Sequence, residues 1–195
     1  MKALSYLSLS LVLMLSACAS QPKLERVDAS KEIELTDKWN ARDSREVAEA
    51  MMDDMLSFPW YLDFRMSRDD AMPRVIVQTI RNKSHEHIPV DTFINDIKRS
   101  LLRSGKIDFV AGGAERDDIR DEKLDQELNS SADTLKALGQ EYGADYALTG
   151  EINSYVDSLN SKRVTYYQVD LKLIDILTNR EVWIGQKKIQ KLMTR

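Results

Sequence analysis

The only imidazoles in the chain are His85 and His87, separated by Glu86 and followed closely by Pro89. Histidines at this spacing can ligate a metal, but a closed site needs further patterned ligands, and neither a cysteine nor a third histidine accompanies them. A solvated loop is the commoner meaning. The single thiol is Cys18, far from any histidine in sequence, so no Ser-His-Asp or Cys-His nucleophilic system can be assembled elsewhere. Gly112-Gly113 lacks the spacing of a phosphate-binding loop. Carboxylates are plentiful, as at Asp117-Asp118 and Asp121-Glu122, but on a charged helix they form its wet face. A glycosidase would need two of them held a fixed distance apart in a cleft, and no pattern here does that. The sequence therefore assigns no catalytic residue, no metal and no cofactor, and it points to a protein that works by binding.

Exposed aromatics are the usual anchors of partner surfaces. The candidates are Trp60 and Tyr61, which follow an expected first helix, and Tyr155 and Tyr166, near expected hairpin ends. Each is also an ordinary core or sheet residue. Hydrophobic residues make up 43% of the chain and charged residues 31%, a globular composition, and the formal net charge is −4. Residues 1–17 contain one charge, Lys2, so a chain beginning at Cys18 carries about −5. That balance disfavours non-specific attachment to nucleic acid, which needs a basic surface.

Met1-Lys2 is a short positive start, and residues 3–15 are mostly apolar, too few to span about 30 Å of hydrocarbon as a helix. Leu15-Ser16-Ala17-Cys18 follows, and it resembles the lipobox of bacterial lipoproteins. Small residues fit the peptidase cleft; the thiol takes a diacylglycerol, cleavage falls between Ala17 and Cys18, and the new α-amino group is acylated. Several chains are needed because one gives only marginal, reversible membrane attachment. The expected division is a signal peptide over 1–17, a lipidated N-terminus and polar tether over 18–42, and one domain over 43–195. Ala19, rather than aspartate, follows the cysteine, which in enteric lipoproteins resembles an outer-membrane address, facing the periplasm. Residues 19–42 contain Pro22 alone and reach at most roughly 80 Å when fully extended.

The elements follow from period and punctuation. Asp43 with Glu46 has the spacing of a capping box, so a helix is expected from Asp43 or Ser44. Its apolar stripe of Val47, Met51, Met52, Met55 and Leu56 ends at Pro59; such methionines can mark a binding groove, but core packing is commoner. Residues 74–80 read as a buried strand. A helix follows from Pro89, with Val90, Phe93, Ile94, Ile97, Leu101 and Leu102 on one face and Gly105 as its stop. A short strand at 107–110, a solvated helix at 115–128 and a helix from Ser131 to Gly143 come next. Finally Tyr146 to Ile152, Tyr167 to Leu173 and a strand from Glu181 make an antiparallel meander, with Gly150 allowing a bulge or close approach. The expected class is α+β: a mixed, mostly antiparallel sheet with a C-terminal β-meander, packed against helices.

Several of these segments resemble a known module in order: Val75 to Val77 before Asn82-Lys83-Ser84, then Leu102-Arg103-Ser104-Gly105-Lys106-Ile107, then Leu138-Gly139. Gly143-Ala144-Asp145-Tyr146-Ala147-Leu148-Thr149-Gly150 and Asp175 to Thr178 with Glu181, Val182 and Trp183 continue it. The succession resembles the peptidoglycan-synthase activator LpoB family over about residues 44–190, with a fold similar to the TolB N-terminal domain and parts of CsgG. The resemblance implies a monomeric, non-catalytic outer-membrane lipoprotein that docks on a class A penicillin-binding protein and stimulates peptidoglycan synthesis. An alternative on the same fold is an accessory subunit of a CsgG-like outer-membrane assembly. No docking residue is carried over. One departure stands out: well-studied members have a long proline-rich arm, and this chain has only residues 19–42 before the domain.

Overall fold

The computed structural model describes residues 24–28, 31, 33–129 and 141–194. The chain divides at residue 33, and the folded unit begins at Glu34. Cys18, Ala17 and most of the helix expected from Ser131 lie outside the described residues.

The first helix, α1, spans Ala41–Ser57. Its cap lies ahead of the expected position. Asn40 is the N-cap, its side-chain oxygen accepting from the backbone N–H groups of Arg42 (2.9 Å) and Asp43 (3.1 Å). Asp43 closes the box in reverse, accepting from the Asn40 N–H at 2.9 Å. Asparagine caps as well as aspartate does, and the helix gains most of a turn by using it. Val47, Ala48, Met51, Met52 and Met55 are buried along α1, so the methionine stripe is core. The first helix stops ahead of Pro59 as expected, and Pro59 also opens a second helix that the sequence did not foretell, α2 (Pro59–Ser67). Phe58 is extended between the two helices, and proline at a first helical position loses no hydrogen bond.

Strand β1 (Arg74–Asn82) leads to α3 (Val90–Ser104), which buries Phe93, Ile97 and Leu101 and stops at Gly105 in the left-handed conformation (φ 63°). A two-residue β2 (Asp108–Phe109) and α4 (Ala114–Asn129) follow; α4 buries no residue, as its charge pattern predicts. Three strands of 14 residues each complete the domain: β3 (Tyr146–Leu159), β4 (Lys162–Asp175) and β5 (Glu181–Thr194). They run well past the expected alternating segments because a hairpin ladder continues wherever each backbone group finds a partner, whatever the side chains do.

The sheet order is β2-β1-β3-β4-β5, with β1 parallel to β2 and β3 and the rest antiparallel. Helices α1 and α3 pack together and cover one face. Leu148, Ile152, Tyr167, Val169, Leu171, Leu173 and Trp183 point into that layer. Trp183 is clamped from above by a hydrogen bond from its indole N–H to the Asp54 carboxylate of α1 at 2.8 Å. The other face is polar and half wet, with Asp170 accepting from Gln168 (2.8 Å) and Gln186 (2.9 Å). At Gly150 an added Cβ would lie 2.2 Å from the Asp170 carbonyl oxygen, so the close approach read from sequence is real. The register shift expected nearby falls on the partner strand, between Val77 and Ile80 of β1.

Packing also starts earlier than the expected boundary at residue 43. Asp37 is buried, and Trp39 packs edge-on against Phe93 (6.0 Å) and Tyr167 (5.5 Å). The Asp37 carboxylate accepts from the buried Thr165 hydroxyl and pairs with Arg163 Nε at 2.9 Å; together these hold its pKa below the ordinary carboxylate value, the Thr165 bond first. Lys191 donates to the Lys38 carbonyl (2.9 Å) and to Asp43 (2.5 Å). Polar composition hid this latch. A segment without apolar period can still dock through one aromatic ring and a satisfied buried acid.

Candidate functional site

A cleft of about 960 Å³ lies at one end of the sheet. Three stretches of chain form it. Helix α2 contributes Trp60, Asp63 and Phe64; the entry to β3 contributes Asp145 and Tyr146; the β4–β5 turn contributes Leu177 and its neighbours. Each wall is fixed locally. Trp60 donates its indole N–H to the Met55 carbonyl at 2.8 Å, which ties α2 to the end of α1. Asp145 accepts from the Arg74 backbone N–H (2.9 Å) and guanidinium (3.2 and 3.3 Å), joining β3 to β1. Asp175 accepts from the Thr178 N–H at 2.9 Å, and Asn179 takes a positive φ of 57°, so the turn is preformed.

The floor is aromatic. Tyr146 meets Trp60 at 4.9 Å and Phe64 at 5.7 Å between ring centroids, both edge-on, and the Arg68 guanidinium sits 5.8 Å from the Phe64 ring centre. Burial first, then the negative charges of Asp175 and Asp145, push the Tyr146 phenol up to about 12, so it stays neutral. The rim is apolar and open to solvent: Leu177 is 84% exposed, and Ile176 beside it and Phe58 on the helix side are exposed as well. Large apolar side chains gathered beside a cleft mark a partner surface more often than chance exposure.

Three of the cleft's four lining acids are engaged in structure. Asp145 is held by Arg74, Asp175 shapes the turn, and Glu181 pairs with Lys172 at 2.7 Å. No histidine lines it. His85 sits instead beside Ser154, whose Oγ lies 2.6 Å from its Nδ1, roughly 26 Å along β3 from Tyr146. Glu86, between the two histidines, is drawn inward to accept from the Tyr167 hydroxyl (2.5 Å) and the Trp39 N–H (2.8 Å). Among the described residues no three His, Cys, Asp or Glu side chains gather as metal ligands.

The four aromatic candidates separate into two pairs. Trp60 and Tyr61 are 5% and 6% exposed: they belong to the core, and only an edge of Trp60 reaches the cleft. Helix α2, unforeseen because Pro59 was read as a stop, is what turns both rings inward. Tyr155 is exposed and Tyr166 half-buried, facing each other across β3 and β4 at 6.0 Å, at the opposite end of the sheet from the cleft. Sequence reasoning missed Leu177, although an apolar residue in a turn, beside Thr178-Asn179, was the available signal.

Residues 43–189 match the model of one protein family, described as peptidoglycan-synthase activator LpoB. The chain belongs to the LpoB family. Solved structures similar to it include the LpoB C-terminal domain from Salmonella enterica, at 15% identity over 76% of this chain and 99% of that one, with a TM-score of 0.44. The LpoB C-terminal domain from Escherichia coli is similar at 16% identity over 76% and 99%, TM-score 0.43. Lipoprotein GNA1162 from Neisseria meningitidis is similar at 17% identity over 61% and 83%, TM-score 0.38. None of these likenesses is close enough to carry a residue across. No curated protein matches the chain. The LpoB match covers every element from α1 to β5 and leaves out the Asp37–Trp39 latch. No described helix is long and apolar enough to cross a membrane.

Proposed function

We propose that this LpoB-family chain is a non-catalytic, lipid-anchored activator of a class A penicillin-binding protein. It works as a monomer on the periplasmic side of the outer membrane, held by acyl chains on Cys18, and docks through the cleft between α2 and the β4–β5 turn. The observation that carries the reading is the activator-family match over residues 43–189. The preformed cleft supports it: an aromatic floor with an exposed apolar rim suits a protein segment better than a small reactant. Docking raises the synthase's turnover only by favouring its active conformation, so the cleft must bind that conformation more tightly. With Asp37 latched to the sheet, residues 19–36 supply at most about 60 Å between the anchor and the latch. The partner must therefore rise to within that distance of the outer membrane.

The test is stimulation of glycan polymerisation by purified synthase in detergent. The wild-type chain raises the rate, and the Ile176→Glu/Leu177→Glu variant, changed at two exposed rim positions, leaves it at the basal value while melting like wild type. No stimulation by wild type, or full stimulation by the variant, overturns the function or the docking face respectively.

A further inference from the structure

At the end of the sheet away from the cleft, the strands outrun the helices. The last five residues of β3, Tyr155 to Leu159, are all exposed, and side chains alternate between exposed and half-buried over the last residues of β5. Leu159 is 74% exposed at the hairpin tip, Leu192 and Tyr155 are 64% exposed, and Val164 and Tyr166 continue the apolar surface. Register places Tyr155, Tyr166 and Gln190 in one row and Asp157, Val164 and Leu192 in the next, so these side chains share one face. Two exposed lysines on this face, Lys162 beside Leu159 and Lys188 beside Gln168, border the patch, and neither pairs with a carboxylate among the described residues. Asp157 is the one acid inside it.

The chain leading to the N-terminus leaves the domain at this same end. Asp37 is held by Thr165 and Arg163, within three residues of Lys162 at the tip, and Lys38 is held by Lys191, next to Leu192. The chain ahead of the latch therefore joins the folded unit at this end of the sheet, opposite the cleft.

We infer that the distal end of the β3–β4–β5 sheet is a second, independent contact surface that lies against the anionic lipid headgroups of the membrane holding the anchor. This rests on the lipid anchor of the proposed function. Tyrosine favours the interfacial zone, leucines at a tip bury among acyl chains, and lysines beside them attract anionic lipid. Because the anchor already confines the domain near the bilayer, a contact far too weak to recruit it unaided is enough to orient it. The orientation points the cleft towards the periplasm.

The experiment uses the processed chain beginning at residue 18 with Cys18→Ser, so that no acyl chain contributes, in flotation with vesicles. Phosphatidylglycerol-containing vesicles capture it, and phosphatidylcholine vesicles capture it at least about tenfold less. Leu159→Glu/Leu192→Glu abolishes capture, and Lys162→Glu/Lys188→Glu weakens it by about tenfold; all these positions are exposed, and unchanged melting confirms the fold. Absence of capture, or capture indifferent to these substitutions, overturns the inference. So does a patch that proves to mediate self-association on sedimentation, or one whose substitution removes synthase stimulation in detergent, where no bilayer is present. Persistent capture with no stimulation by the wild-type chain sinks the activator reading and leaves this one standing.

Discussion

Replacing Asp37 by alanine tests whether the stretch before the family domain is part of the fold. The carboxylate is buried, takes the hydroxyl of the fully buried Thr165, and pairs with Arg163, which is 40% exposed. A hydrogen bond to a charged acceptor contributes about 1.5–3 kcal/mol, and a half-exposed ion pair adds up to about 1, so Asp37→Ala costs about 2–4 kcal/mol. For a domain of this size that lowers Tm by roughly 4–16 °C. Asp37→Asn keeps an acceptor for Thr165 and loses only the charge, and costs about 1 kcal/mol. The pH dependence follows from the lowered pKa of the folded carboxylate. Asp37 stabilises the fold fully above its unfolded value near 3.9, and the contribution disappears as pH falls through the lower folded value. The gap between wild type and Asp37→Ala, measured by circular dichroism melts, is therefore wide at neutral pH and closes in strong acid. Melting points that coincide at neutral pH, or a gap that is the same in acid, would show that residues 36–40 are merely tether.

Three further outcomes follow from other parts of the molecule. Trp183→Ala empties the largest buried site and strands Asp54, costing about 3–5 kcal/mol in urea unfolding. Tyr167 and Tyr146 both have raised phenols and resist alkaline ionisation, so phenolate absorbance falls short by two tyrosines until about pH 12, and by one in the Tyr146→Phe variant. The Tyr146 share of stability is complete below the unfolded value near 10 and is lost as pH rises through the folded one. Cys18→Ser leaves export intact and releases the protein from the membrane fraction; retention on the membrane refutes the lipid anchor.

The core was legible because its periods are strong. Phe93, Ile97 and Leu101 repeat at helical spacing, and Tyr167, Val169, Leu171 and Leu173 alternate as a half-buried strand must. What period could not reveal was determined by polar detail. The start of α1 turned on Asn40 rather than Asp43, two adequate caps three residues apart. Pro59 serves equally as the end of one helix and the first residue of another, and its neighbours alone do not decide which. The outer halves of β3 and β5 carry mixed residues, and their length comes from pairing partners distant in sequence. The cleft was invisible for a related reason: its walls are residues 58–68, 144–146 and 175–182, which only the tertiary fold assembles. The exposed leucines at both ends of the sheet have no periodic neighbour and give no sequence signal by themselves.

The latch also determines how the molecule carries tension. A lanyard pulled from the N-terminus delivers its load through Asp37 to Thr165 and Arg163 of β4, and through Lys38 to Lys191 of β5. Strand β4 is bonded along both edges, so it cannot be peeled away one bond at a time; many rungs must give way together. The same pull applied at Ala41 would instead unwind α1 from its cap. Because the chain takes hold of the sheet before the helix begins, such a pull would bypass α1 and the cleft beside it.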